Sequence, residues 1–157
     1  MAAIALVPAV VAYLQLGYHD DLRARDGFTS PAENADRLLH RSLHRSAANV
    51  TEYDWSERDA AVETVRDRLE PGLDALRRSR LTHGTVYRVS ANRTAASEWA
   101  GDHCPGGPGR EFGACDAIDG VIVQDRTGQT HVVAAAFDVR VTTDRGTVSF
   151  TTVVRAV

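Results

Sequence analysis

Cys104 and Cys115 are the only two cysteines, and they bracket the segment CPGGPGREFGAC. With Pro105, Pro108 and glycines at 106, 107, 109 and 113, such a loop has little means of fixing its own backbone. A disulfide between Cys104 and Cys115 would fix it; a pair of free buried thiols is the alternative. Closing a loop of this size contributes roughly 3 kcal/mol in the chain-entropy view, and persistent disulfides belong to oxidising compartments. A metal reading would recruit Asp102, His103, Cys104 and Cys115, but the paired Cys-x-x-Cys spacing of structural zinc sites is missing. His40 and His44 sit four apart on a helical stretch, without the His-Glu-x-x-His pattern or a third ligand. No metal site is expected.

Asn49-Val50-Thr51 and Asn92-Arg93-Thr94 are Asn-x-Thr sequons, and the one further asparagine is Asn34. Both fall where elements should end, so N-glycosylation at Asn49 and Asn92 is expected of a chain that meets a glycosylating enzyme. Gly-x-Ser-x-Gly and Ser-x-x-Lys are absent, and the chain contains no lysine. Gly106-Gly107-Pro108-Gly109 lacks the lysine and the strand-to-helix setting of a phosphate loop. Catalytic residues, cofactors and a small-molecule substrate are therefore not expected, and a non-enzymatic role follows.

At 157 residues the chain suits one folded domain plus a short additional segment. All 18 basic residues are arginine, Asp greatly outnumbers Glu, and the net charge is -3, a pattern of a GC-rich and salt-adapted genome. The arginines are spread along helices beside acids, as in Glu63, Arg66 and Asp67, rather than gathered into a nucleic-acid-binding patch.

Residues 2–16, AAIALVPAVVAYLQL, carry no charge. Ile4, Leu6, Val7, Val10, Val11, Tyr13, Leu14 and Leu16 leave no helical face for water, so this segment is expected to be buried in lipid or in protein. At 1.5 Å per residue it falls short of the roughly 30 Å hydrocarbon core, and Pro8 predicts a kink. Residues 1–22 thus read as an anchor or assembly helix, and 23–157 as an extracellular domain. A cleavable secretory signal and a buried core helix are the competing readings; no basic residue precedes the run and no Ala-x-Ala site follows it.

Within the domain, Ser30-Pro31-Ala32-Glu33 reads as a capping box opening a helix to about Ala48, with Ala35, Leu38, Leu39, Leu43 and Ala47 as its buried stripe. Ser56 is expected to cap a second helix, with a stripe of Ala60, Ala61, Val65, Leu69, Leu73 and Leu76 and a kink or restart at Pro71-Gly72. Beyond Gly84 the pattern alternates. Residues 85–91, 120–124, 130–143 and 147–154 read as strands joined late in the chain by hairpins. Pairing Thr143 with Gly146 sets Val141 beside Val148 and Val139 beside Phe150, which puts Val133, Ala135, Phe137, Val139 and Val141 on one buried face. The expectation is an α+β fold: two amphipathic helices on one face of an antiparallel sheet of about four strands, with the other face wet.

Taken together, the apolar proline-containing start, Ser-Pro-Ala-Glu-Asn-Ala, Trp-Ser-Glu-Arg, the Cys-Pro-Gly-Gly-Pro loop and the terminal Phe-Asp-Val-Arg-Val-Thr-Thr hairpin resemble a family of haloarchaeal pilin-like surface proteins of the type IV pilin or pseudopilin kind. The resemblance implies a minor-pilin subunit of a surface filament or secretion-type assembly. Its first segment would be membrane anchor before assembly and filament core after it, its domain would lie outside the cell, and its partners would be the membrane and other pilin-like subunits. The basic leader and prepilin-type cleavage site of such proteins do not precede Ala2, so a truncated or late start is expected. A membrane-tethered adhesion module using the Cys104–Cys115 loop as its contact surface is the alternative.

Overall fold

The computed structural model describes residues 31–48, 50–79 and 84–156. The anchor residues Ile4, Leu6, Val7, Pro8, Val10, Val11, Tyr13, Leu14 and Leu16, the Ser30 cap and the Asn49 sequon lie outside the described residues. None of the described helices is long and apolar enough to cross a membrane.

Helix α1 (residues 31–47) buries Ala35, Leu39 and Leu43, with Leu38 and Ala47 partly buried, as its three- and four-residue spacing requires. Short helical turns at Val50–Glu52 and Trp55–Glu57 then lead into α2, Arg58–Arg78. Ser56 is part of the second turn and not a cap. The helix runs without a break through Pro71, so the expected restart does not occur; an exposed proline in mid-helix costs stability that burial of Leu69, Leu73 and Leu76 offsets. Ala60 is exposed, and Val62 takes its place in the buried stripe.

The sheet has five strands, all paired antiparallel: β1 Val86–Ala91, β2 Phe112–Ile118, β3 Val121–Arg126, β4 Gln129–Thr143 and β5 Gly146–Arg155. The expected final register holds, with Thr143 opposite Gly146, Val141 opposite Val148 and Val139 opposite Phe150. On the other edge of β4, β3 pairs with residues 129–135 and β1 with residues 137–142, so two strands share one edge end to end. Ala136 is the joint: its N–H donates to the Gly120 carbonyl and its carbonyl accepts from the Asn92 N–H, both at 2.9 Å.

The expected count of four strands omits β2, which runs out of the cysteine loop and pairs with β3 across Asp119-Gly120. Both residues of that turn have positive φ, as do Thr127 and Gly128 in the next hairpin, the conformation of the two-residue turn that matches strand twist. A Cβ at position 120 would also lie 2.8 Å from that of Ala91, so glycine is required there by space as well as by φ.

The sheet is covered on both faces, not one. Helices α1 and α2 pack with Val121, Val123, Ala135, Phe137, Val139, Val141 and Val154 on the first face. A third helix, α3 (Arg93–His103), packs Ala96 and Trp99 with Ile122, Val133, Ala134, Ala136 and Val153 on the second. Val133 was expected beside Ala135. It faces α3 instead, because the register shifts between Ile122–Ala134 and Val123–Val132, leaving Val133 as the extra residue of a β-bulge that reverses the facing of everything before it. Only the far end of the second face, at Arg88, Ser90, Asp138, Arg140, Ser149 and Thr151, is exposed as expected.

Asn92 caps α3, its Oδ1 accepting from the Ala95 N–H at 2.8 Å, while its Nδ2 donates to Asp138 at 2.8 Å. Thr151 donates to the same carboxylate, and these two hydrogen bonds, Thr151 first, hold Asp138 below the usual carboxylate pKa. We predict that Asn92→Ala lowers unfolding stability by about 1 kcal/mol through loss of the cap. Asn92→Asp should keep the cap and place a second carboxylate at Asp138; chemical denaturation should then show a deficit at pH 7 that shrinks as pH falls below about 4, where carboxylates protonate.

Candidate functional site

Chemistry-bearing residues gather where α3 ends and β2 begins. Cys104 follows the last turn of α3, Cys115 lies in β2, and the two are joined with Cα atoms 5.7 Å apart. Across the strands, Cys115 stands opposite Gln124, and Gln124 opposite His131. Gln124 is fully buried, which demands partners for its amide. Nε2 donates to the Pro105 carbonyl at 2.6 Å and to the Gly113 carbonyl at 3.0 Å, and Oε1 accepts from Arg126 Nε at 3.1 Å. One side chain thus ties both ends of the cysteine loop to the centre of the sheet.

Beyond this root, the guanidinium carbons of Arg126 and Arg110 lie over the Phe112 ring, 4.3 and 5.7 Å from its centroid. Desolvation, and secondarily the charge of Arg110, lowers the Arg126 pKa. Burial, and secondarily Arg126, lowers that of His131. This cluster is cationic, aromatic and rigidly rooted, with exposed glycine-rich chain beside it.

The metal alternatives are spent otherwise. The two cysteines are bonded to each other, His103 stacks on Trp99, His40 lies 3.6 Å from Asp36, and His44 Nδ1 donates to the Ala156 carbonyl at 3.3 Å. Among the described residues no group of three or more His, Cys, Asp or Glu is placed to hold a metal ion. A hollow of about 210 Å³ opens where β1 meets β3, floored by Leu69, Leu73, Val89 and Phe137. Its charged rim is already paired, Arg66 with Asp119 and Arg77 with Glu70. Arg126 and Phe112 were not singled out by sequence; the Asp119-Gly120 turn, which implies a strand on each side, is the signal that could have found them.

Three outcomes are expected here. Replacing both cysteines by serine should reduce stability by roughly 3 kcal/mol without unfolding the sheet, read by denaturant titration. Gln124→Ala should cost about 1–3 kcal/mol, because a fully buried side chain is lost and the Pro105 and Gly113 carbonyls lose their donor. The third outcome concerns His131, whose lowered folded pKa favours the neutral ring, so its contribution is complete above about pH 6.5 and is lost as pH falls toward the folded value. Arg126→Gln should raise the His131 pKa in an NMR titration.

No curated protein and no solved structure matches the chain. A family match does extend over residues 1–155, nearly the entire sequence, and therefore covers the apolar first segment, the helices and the whole sheet. The chain belongs to DUF7261, a family of unknown function.

Proposed function

We propose that this protein is a non-enzymatic, pilin-like structural subunit at the cell surface, carried by its apolar first segment and assembling through it with related subunits. The observation that carries this reading is the seating of α1. The helix that follows the apolar segment in sequence has Ala35, Leu39 and Leu43 at most 1% exposed against the sheet. Anything that holds the first segment would therefore load the domain through its core, as a filament subunit requires. The Cys104–Cys115 bond supports an oxidising compartment, and hence a domain outside the cell. On this reading Asn49 and Asn92 are glycan acceptors. The Asn92 amide that would carry the sugar keeps one hydrogen for Asp138, so attachment and the observed hydrogen bond are chemically compatible.

A second reading, a tethered adhesion module, is favoured by the rooted cysteine loop with its two guanidinium groups over Phe112. Expression of the full chain and of a chain lacking residues 1–18 in the native host separates the readings. A subunit should fractionate with membranes or filaments and co-purify with other pilin-like chains, and the shortened chain should be a soluble folded monomer. Recovery of the full chain from membranes alone, without partners, would favour the tethered module. A full chain that stays soluble and monomeric would overturn both.

A further inference from the structure

Five arginines of α2 and α3 are ion-paired: Arg77 with Glu70 and Asp74, and Arg78 with Asp74, within α2; Arg58 with Asp116 of β2, and Arg66 and Arg93 with Asp119 of the turn after it. Arg110 and Arg126 differ. Both guanidinium groups lie against one phenyl ring, 5.7 and 4.3 Å from its centroid, and neither makes an ion pair among the described residues. The nearest acids in sequence do not relieve them. Glu111 is exposed without an ion pair, and Asp125 accepts from the Gly128 N–H in the hairpin turn. Two like charges drawn to one ring by the fold, with no ion-paired acid among the described residues, form a site suited to an anion.

The site is also built in advance. Arg126 is partly buried and its Nε is held by Gln124, which leaves its terminal N–H groups for a ligand. The disulfide and the two hydrogen bonds from Gln124 fix the loop that presents Arg110, so little ordering remains to be done on binding. Each guanidinium offers a planar fork that matches a pair of oxygens. A carboxylate has one such pair, whereas a tetrahedral oxyanion offers a pair to each of two forks and carries the charge to balance both.

We propose that Arg110 and Arg126, set over Phe112 at the root of the Cys104–Cys115 loop, bind a doubly charged tetrahedral oxyanion, either free sulfate or phosphate or the phosphate monoester group of a ligand. The site stands whether or not the chain assembles into a filament, and it names the chemistry that the loop would recognise on a partner.

The test is a titration of the full chain with sodium sulfate, inorganic phosphate or acetate at constant ionic strength made up with chloride, followed by calorimetry and by the arginine Nε–Hε NMR signals. Saturable binding of sulfate or phosphate is expected, with acetate at least tenfold weaker; the stronger of the two oxyanions identifies the source. Arg110→Gln and Arg126→Gln should each weaken binding at least tenfold, and Arg45→Gln, remote from the loop, should leave it unchanged. In anion-free buffer Arg110→Gln should be no less heat-stable than the parent, because it relieves repulsion, and this exposed-loop variant keeps the test decisive if Arg126→Gln fails to fold. Acetate binding as tightly as both oxyanions, no saturable binding of either, or an undiminished response in Arg110→Gln would overturn the proposal.

Discussion

The constraint on which the rest of the structure depends is the shared edge of β4. A fifteen-residue strand, about 50 Å long if fully extended, is longer than any other strand of the sheet, and its neighbours β1 and β3 must divide one edge between them. The division is made at the Ala136 peptide, whose N–H and C=O are given to Gly120 and Asn92. Both donors and acceptors of the ladder are satisfied across the break, which a buried sheet edge requires. The same junction starts α3 at Asn92 and turns β2 into β3 at Asp119-Gly120. Asp119 then collects Arg66 from α2 and Arg93 from α3, linking the helices of opposite faces.

From this arrangement the packing follows. Near the joint, β4 is sandwiched between helices, and its side chains are small: Ala134 and Ala136 face α3 through Ala96, and Ala135 faces the other layer. Small residues let helix backbones approach a sheet closely on both sides, and the bulge at Val133 adjusts which side each residue meets. Farther along, where no described helix covers the second face, the strand returns to strict alternation, Asp138 and Arg140 outward with Val139 and Val141 inward.

These differences explain what was legible in the sequence. The last hairpin was readable to the residue because one of its faces is wet, and alternation with a two-residue turn admits a single register. The α1 stripe was readable for the same reason. The second layer was harder, although Val132-Val133-Ala134-Ala135-Ala136-Phe137 is a continuous apolar run that implies cover on both faces. α3 was hidden because Asn92-Arg93-Thr94 reads equally as a sequon and as a helix cap, and β2 because Gly113, Ala114, Asp116 and Ala117 have little preference for strand. The cysteine pair was legible from composition. The guanidinium pair beside it was not, since Arg110 and Arg126 meet only through the pairing of Phe112 with Arg126.

Functionally, the central claim is mechanical: α1, the first described helix after the apolar segment, is part of the same cooperative unit as β4 and not a helix resting on it. Native-state hydrogen exchange measures this directly. The account predicts that the amides of Leu39 and Leu43 in α1 exchange with the same opening free energy as those of Ala136, Val139 and Val141, equal to that of global unfolding. Exchange of α1 through a separate, lower-energy opening, with β4 still protected, would contradict it.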